Sequence, residues 1–327
     1  MRVVSLVPSW TETLIEAGAD VVGRTRFCIH PADRVRSIPA VGGTKDINLD
    51  KIAALAPDLI VLDREENTRE IADDLGSIAR LHVSHVDSAQ VLPRELRALA
   101  NALGGSTPRN AGSGAAPGDA GSGAAPGDAG GGATLSAAIN SATHGDASSD
   151  VAHRLEAFAH RFESVVFDRS HSQVADRRPQ RSLTEEDSAV TPSAKIKAAR
   201  VSTSVPANSQ HALKRERPFI YVIWKDPWMC VSRETFIASM LGLAGHDLRH
   251  LWAPAGSKYP RFELAQLPNC AHLLLSSEPF PFAKKESEVA KLLAAPELAS
   301  KQLTYELVDG ESFSWFGIRA LRYLESL

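Results

Sequence analysis

The chain has 327 residues, 43% of them hydrophobic, enough to bury real cores and long enough for two domains rather than one. Lys and Arg number 36 against 39 Asp and Glu, a formal charge of −3, so no bulk positive field exists to hold a phosphate backbone and nucleic acid is not an expected partner. No uninterrupted apolar stretch reaches the ~20 residues of a bilayer span, which leaves no direct membrane insertion to expect.

Cys28, Cys230 and Cys270 lie far apart without CxxC pairing. This argues against a zinc knuckle or a disulfide framework and leaves room for a single bridge. The opening Met1-Arg2-Val3-Val4-Ser5-Leu6-Val7-Pro8 is too short for a signal-peptide core and has no small-residue cleavage site after it. The expectation is a cytoplasmic chain, with a periplasmic one as the alternative if the start is misplaced.

In chain order, Val3–Val7 reads as a strand and is followed by a helix opened by Ser9, with capping-box spacing to Glu12, and closed near Gly18. Asn48 caps a second helix that ends before Pro57, and Asp58-Leu59-Ile60-Val61-Leu62 reads as a buried strand. A helix over Asn67 to Leu75 stops at Gly76. Leu81-His82-Val83 reads as a strand, and Ser88 to Leu103 as a helix despite Pro93. Such alternation builds a mostly parallel sheet with helices on its faces.

The pattern then stops at Gly104. Residues 104–149 contain a tandem Ala-Gly-Ser-Gly-Ala-Ala-Pro-Gly-Asp repeat with almost nothing to bury, read as a flexible, ligand-free insertion. Over 150–168, Val151, Leu155, Phe158, Phe162, Val165 and Val166 have the spacing of a helix of about five turns that joins two lobes. Residues 169–216 are polar and poor in aromatics, a second expected disordered insertion. A second α/β half over 217–327 carries strands at Phe219–Trp224, His272–Leu275 and Leu303–Val308 and helices at Glu234–Leu241, Lys284–Ala294 and Ser314–Leu327.

The fold class is therefore α/β: lobes 1–103 and 217–327 with mostly parallel sheets, one long rigid helix between them, and a ligand cleft where the loops after strand C-termini converge. Pro8-Ser9-Trp10-Thr11 follows the first strand. Its amides suit an anionic group and Trp10 offers apolar area, or else Ser9 only caps and Trp10 is core. Val41-Gly42-Gly43-Thr44-Lys45 lacks P-loop spacing and reads as a tight turn carrying Thr44 and Lys45 to a cleft wall. Asp63-Arg64-Glu65-Glu66-Asn67 is either a solvated helix start or part of a site.

The second half is rich in aromatics at strand ends: Trp224-Lys225-Asp226-Pro227-Trp228, Lys258-Tyr259-Pro260 and Glu278-Pro279-Phe280-Pro281-Phe282. They suit a large flat ligand or serve as loop plugs over the core. His246 and His250 have metal-pair spacing but lack a third ligand, and His30 is equally isolated, so no metal site is expected. No GxGxxG, Gly-x-Ser-x-Gly or HExxH occurs, which disfavours a nicotinamide enzyme and leaves no catalytic residue to name.

Taken together, RVVSLVPSWTETLIEAGA, VVGRTRFCIHP, VGGTKDINLDKIAALAPDLIVL with EEN, YVIWKDPWMCVSRETFIASMLGLAGH, KYPRFELAQLPNCAHLLLSSEPFPF and VDGESFSWFGIR resemble the substrate-binding proteins of cobalamin and iron-chelate ABC importers. These are the helical-backbone metal receptors with a class III periplasmic-binding fold. The resemblance implies a non-catalytic monomer with no intrinsic cofactor, a ligand such as cobalamin, haem or a ferric chelate, and an ABC permease partner. It places cleft residues at Pro8, Ser9, Phe27, Thr44, Lys45, Glu66, Trp224, Trp228, Tyr259, Phe280 and Trp315, and docking glutamates at Glu70 and Glu263. A tryptophan that some relatives carry after the PDLIVL strand is replaced here by Asp63-Arg64-Glu65. The competing readings are a cytoplasmic corrinoid or chelate-handling protein, a cofactor-modifying enzyme using Glu65, Glu66 or Lys45, and an interaction protein tethered through its insertions.

Overall fold

In the computed structural model, which describes residues 1–104, 147–175 and 217–327, the most apolar runs of each half form central strands. The first lobe has β1 (Arg2–Ser5), β2 (Asp20–Arg24), β3 (Leu59–Asp63) and β4 (Arg80–Ser84), all parallel in the order β2-β1-β3-β4. Every residue of β3 is buried, as expected of a strand covered on both faces. The second lobe has β5 (Phe219–Trp224), β6 (Met229–Cys230), β7 (His272–Ser276) and β8 (Thr304–Val308) in the order β6-β5-β7-β8. Only the short edge strand β6 there is antiparallel.

Local chemistry explains most boundaries. The first helix, α1 (Pro8–Ala17), does not open on Ser9: Val7 is its N-cap, with no side-chain cap. Proline's fixed φ and missing N–H suit the first helical position, so Pro8 sets the start one residue earlier. Ser9 is buried and Glu12 turns away to the far end of the chain. Gly18, at φ 85°, closes α1 in the left-handed conformation.

After α2 (Ala32–Val35), helix α3 (Leu49–Ala54) is capped by Asn48, whose side chain accepts the Lys51 amide, and α4 (Arg69–Leu75) by Thr68 rather than Asn67. Helix α5 (Leu92–Gly104) begins four residues later than Ser88, because Pro93 sits in its first turn.

The connecting helix α6 runs Ala147–Ala175, about 44 Å at 1.5 Å per residue. It extends beyond the expected 150–168 into both flanks, while the rest of the two expected insertions lies outside the described residues. Val151, Leu155, Ala159 and Phe162 are buried in a core that takes in both lobes. Arg97 of α5 grips Glu163 and Glu156 of α6, while Arg169 of α6 donates to the Leu243 and Leu324 carbonyls of the second lobe. The helix is thereby fastened to both halves.

In the second lobe, α7 (Phe236–Leu243), α8 (Phe282–Leu293) and the short α9 (Pro296–Ala299) precede β8. The expected final helix Ser314–Leu327 starts only at Ile318, as α11 (Ile318–Ser326), and a separate short helix α10 (Gly310–Ser314) precedes it. Gly317, at φ 79°, makes the break, and a Cβ there would lie 2.1 Å from Thr13 Oγ1 of α1. The Ile318 amide donates to the same oxygen at 3.1 Å, so α11 belongs to the second half in sequence and packs on the first lobe. The three cysteines are free thiols.

Candidate functional site

Between the lobes, Glu65 after β3 meets Lys258 and Tyr259, and His30 after β2 meets Glu311 and Trp315 after β8. At the first-lobe side, Trp10 is fully buried. Its Nε1–H donates to Ser84 Oγ at 2.7 Å, and the Ser84 hydroxyl donates to Asp63 Oδ2 at 2.7 Å. Asp63 also accepts the Glu65 and Val86 amides. Burial pushes its carboxyl above the usual range while those hydrogen bonds pull it back. Trp10 and Asp63 are therefore support, holding the β3 loop from beneath. Asn67, buried beside them, accepts the Asp63 amide and donates to the Thr44 carbonyl at 2.9 Å, tying the glycine turn to the same loop.

Glu65 reaches across to the second lobe. Its carboxylate accepts from Lys258 Nζ and, at 3.0 Å, from the Tyr259 hydroxyl, with His85 Nε2 3.9 Å away. Burial and then the Glu65 charge push the Tyr259 phenol well above its ordinary range, which keeps it a neutral donor. Glu66, next in sequence, has no hydrogen-bond donor to its carboxyl among the described residues. Desolvation, the neighbouring Asp63 charge and Glu278 of the opposite lobe outweigh Lys45 and push it up to about 7. Glu278 is raised by burial too, although Ser314 donates to it.

The aromatic residues divide into two groups. Phe27 is 49% exposed, with the Arg26 guanidinium 4.9 Å from its ring, and Trp224 is 38% exposed, edge-on to Phe280 at 5.6 Å. Trp228, by contrast, is 9% exposed, stacked on Phe282 and packed against Phe262 in the second-lobe core. Trp315, 7% exposed, lies between the His30 edge and the Arg319 guanidinium. Pro8 and Ser9 are buried, Thr44, Tyr259 and Phe280 half-buried, and Lys45 exposed.

His246 packs on Phe219 and His250 ends a 3₁₀ turn, while His30 Nε2 lies 2.9 Å from a Glu311 carboxylate oxygen. Among the described residues no group of three or more His, Cys, Asp or Glu is arranged to hold a metal ion. Lys258 also lines two neighbouring cavities of about 570 and 960 Å³; none of the expected aromatic residues does. Sequence reasoning did not single out His85, and named Lys258 only as the start of the Tyr259 run. Glu278 was visible only as the start of an aromatic run, and its meeting with Glu66 depends on both lobes.

A carboxyl raised by burial binds its proton more tightly folded than unfolded. Stability should therefore fall as pH rises from about 4.5 to about 7, with the penalty complete above that window. Glu66→Gln is expected to remove about 1–3 kcal/mol of this pH dependence, the range allowing for partial solvent screening. Urea unfolding at about pH 5 and about pH 8 checks it; parallel behaviour of the two proteins would mean that Glu66 is charged without penalty.

Two lobes with parallel sheets, a clamped long helix and a cleft at their facing edges define the architecture of two-lobed substrate-binding proteins. The family model described as Periplasmic binding protein matches residues 3–107, the first lobe. Among solved structures, the periplasmic vitamin B12 binding protein of Vibrio cholerae is similar at TM-score 0.56 and 15% identity, over 99% of this chain and 94% of that one. A periplasmic heme-binding protein from Roseiflexus sp. RS-1 matches at 0.58 and 14%, covering 99% and 95%. The Fe3+-Desferal-bound siderophore-binding protein of Vibrio cholerae matches at 0.54 and 18%, covering 100% and 95%. The chain thus has the fold of this group, and the resemblance read from its motifs extends to the whole architecture.

The expected cytoplasmic location is corrected. The matching family is one of periplasmic binding proteins, and the B12- and heme-binding neighbours are periplasmic. A leader is removed on export, so the first residues of a chain are a weak guide to its compartment. No helix among the described residues is long and apolar enough to cross a membrane.

Proposed function

We propose that this chain is a non-catalytic substrate-binding protein that captures a corrinoid of the cobalamin type, or another metal chelate, between its lobes for ABC-type uptake. The observations that support the reading are two exposed rings, Phe27 in the loop after β2 and Trp224 at the end of β5, the latter edge-on to the half-buried Phe280. Exposed aromatics bind a large flat ligand at low entropic cost, and a few polar groups orient it. Thr44, Lys45, Glu66 and Tyr259 supply those groups, while Pro8, Ser9, Trp228 and Trp315 back the walls. The B12, heme and ferric-siderophore proteins of the same fold support the ligand class. Glu70 and Glu263, exposed one on each lobe, are the docking points for a permease.

Visible-absorbance titration with cyanocobalamin, haemin and a ferric hydroxamate, read alongside tryptophan quenching, tests the reading. Saturable binding of one of them, weakened roughly tenfold or more by Trp224→Ala, is the expected result. Absence of binding to all three would sink it.

A further inference from the structure

The two halves of the chain are joined in two different ways. One joint is packed and buried: α11 lies on α1, the Ile318 amide donates to Thr13 Oγ1, and the Arg319 fork holds both oxygens of Glu12, itself 4% exposed. The other is made by side chains of loops. Glu65, after β3, accepts from Lys258 Nζ and, at 3.0 Å, from the Tyr259 hydroxyl, with His85 Nε2 3.9 Å away. The Glu65 and Lys258 side chains stay 30% and 34% exposed, so water can take over their hydrogen bonds once they part.

The arms of this second joint are differently backed. Glu65 stands on a fixed base, because Asp63 accepts its amide and the Ser84 hydroxyl and Trp10 hold Asp63 in turn. Lys258 and Tyr259 belong to residues 252–260, which form neither helix nor strand and whose tip, Ala255, Gly256 and Ser257, is exposed. A Cβ added at Gly256, where φ is 104°, would meet nothing within 4 Å. Beyond the tip the loop is tied down: the Ser232 amide donates to the Lys258 carbonyl at 2.8 Å and the Cys230 amide to that of Pro260 at 3.1 Å. Beside the joint a cavity of about 570 Å³ opens between the lobes, with Asp87, Ser88 and Gln90 on one wall, Thr235 and Ser239 on the other, and Lys258 among its lining. The contact therefore bridges a gap, and it can open without tearing apart a packed apolar surface.

Resting on the cleft-receptor reading above, we propose that Glu65, Lys258 and Tyr259 form a releasable clasp between the lobes, a gate that a ligand must open to enter or leave the cleft. Charge-assisted hydrogen bonds are stronger than neutral ones, and partial exposure discounts them. The clasp is accordingly expected to slow exchange by about tenfold. It parts for entry as well as for exit, so its loss lowers both barriers alike: both rates rise and Kd stays nearly constant. A residue that only touches the ligand would raise the dissociation rate and Kd together.

Two measurements on the full chain test the clasp. The first needs no ligand. Cys270 is exposed while Cys28 and Cys230 are buried, so spin labels on Cys270 and on the exposed first-lobe position 74, through Asp74→Cys, report lobe separation by double electron–electron resonance. Glu65→Ala and Lys258→Ala should each lengthen or broaden the distance distribution. Combining Glu65→Lys with Lys258→Glu should restore it, which a folding defect would not do. Distributions that superimpose on the parent's would overturn the clasp. The second follows stopped-flow exchange of cyanocobalamin, haemin or ferrioxamine B, whichever the parent chain binds. Association and dissociation both about tenfold faster at unchanged Kd is the expected result; unchanged rates, or a raised Kd with unchanged association, would overturn the gate. If none of the three binds, the cleft reading falls and the gate with it, while the distance measurement still decides the clasp.

Discussion

Arg319→Ala is expected to lower the unfolding free energy by about 3–5 kcal/mol, because it leaves a buried carboxylate without its partner. Arg319 of α11 donates from Nε and Nη2 to the two oxygens of Glu12 at 2.8 and 2.9 Å, and from Nη1 to Glu311 at 2.7 Å. Glu12 is 4% exposed in the middle of α1, so water cannot replace the guanidinium fork. Arg319→Lys should recover little, since an ammonium cannot donate along two parallel directions and to a third oxygen at once. Glu12→Gln combined with Arg319→Ala should cost less than the sum of the single changes, as expected for partners in direct contact. Urea unfolding followed by circular dichroism measures the parent chain, Arg319→Ala, Arg319→Lys, Glu12→Gln and the double variant. A loss below about 1 kcal/mol for Arg319→Ala would show that the pair behaves as a solvated surface bridge. The pair matters to the site because it holds α11, and with it the Trp315 turn, on the first lobe.

Trp10→Ala is expected to cost about 3–5 kcal/mol, the range for emptying a large aromatic site in a packed core. The ring is fully buried, edge-on to Phe316 at 5.0 Å, and its N–H starts the chain through Ser84 to Asp63. Trp10→Phe separates the two contributions: it retains most of the apolar volume and loses the donor, so about 1–2 kcal/mol is expected. Ligand affinity should fall in both variants by less than in Trp224→Ala, since Trp10 acts on the cleft only through the β3 loop. Equal loss of affinity in Trp10→Phe and Trp224→Ala would mean that Trp10 faces the ligand.

Much of this organisation is legible in single segments. The buried run of β3, the strand β5, the Asn48 cap and the Gly18 stop are local events, determined by side-chain periodicity, one hydrogen bond and one dihedral angle. The two-lobed α/β reading followed from them, since alternating strands and amphipathic helices admit few other architectures. The short strands β2 and β6 left no such signal. Five residues containing Gly23, and two residues at a sheet edge, are strands because a neighbouring strand accepts them.

The site divides in the same way. Composition alone marks the loops after β5 and β7 as aromatic, yet only the folded lobe decides that Trp224 faces solvent while Trp228 stacks inside on Phe282. Likewise, the carboxylates at Glu65 and Glu66 are plain in the sequence, but their roles are not. One is matched by Lys258 and Tyr259 from the other lobe, and its neighbour is left desolvated opposite Glu278. Local propensity is determined by residues within a few positions of one another, so the sequence by itself determined most of the longer elements and the α/β class. Charge state, burial and the break at Gly317 depend on groups brought together from distant parts of the chain, and only the tertiary structure decided those.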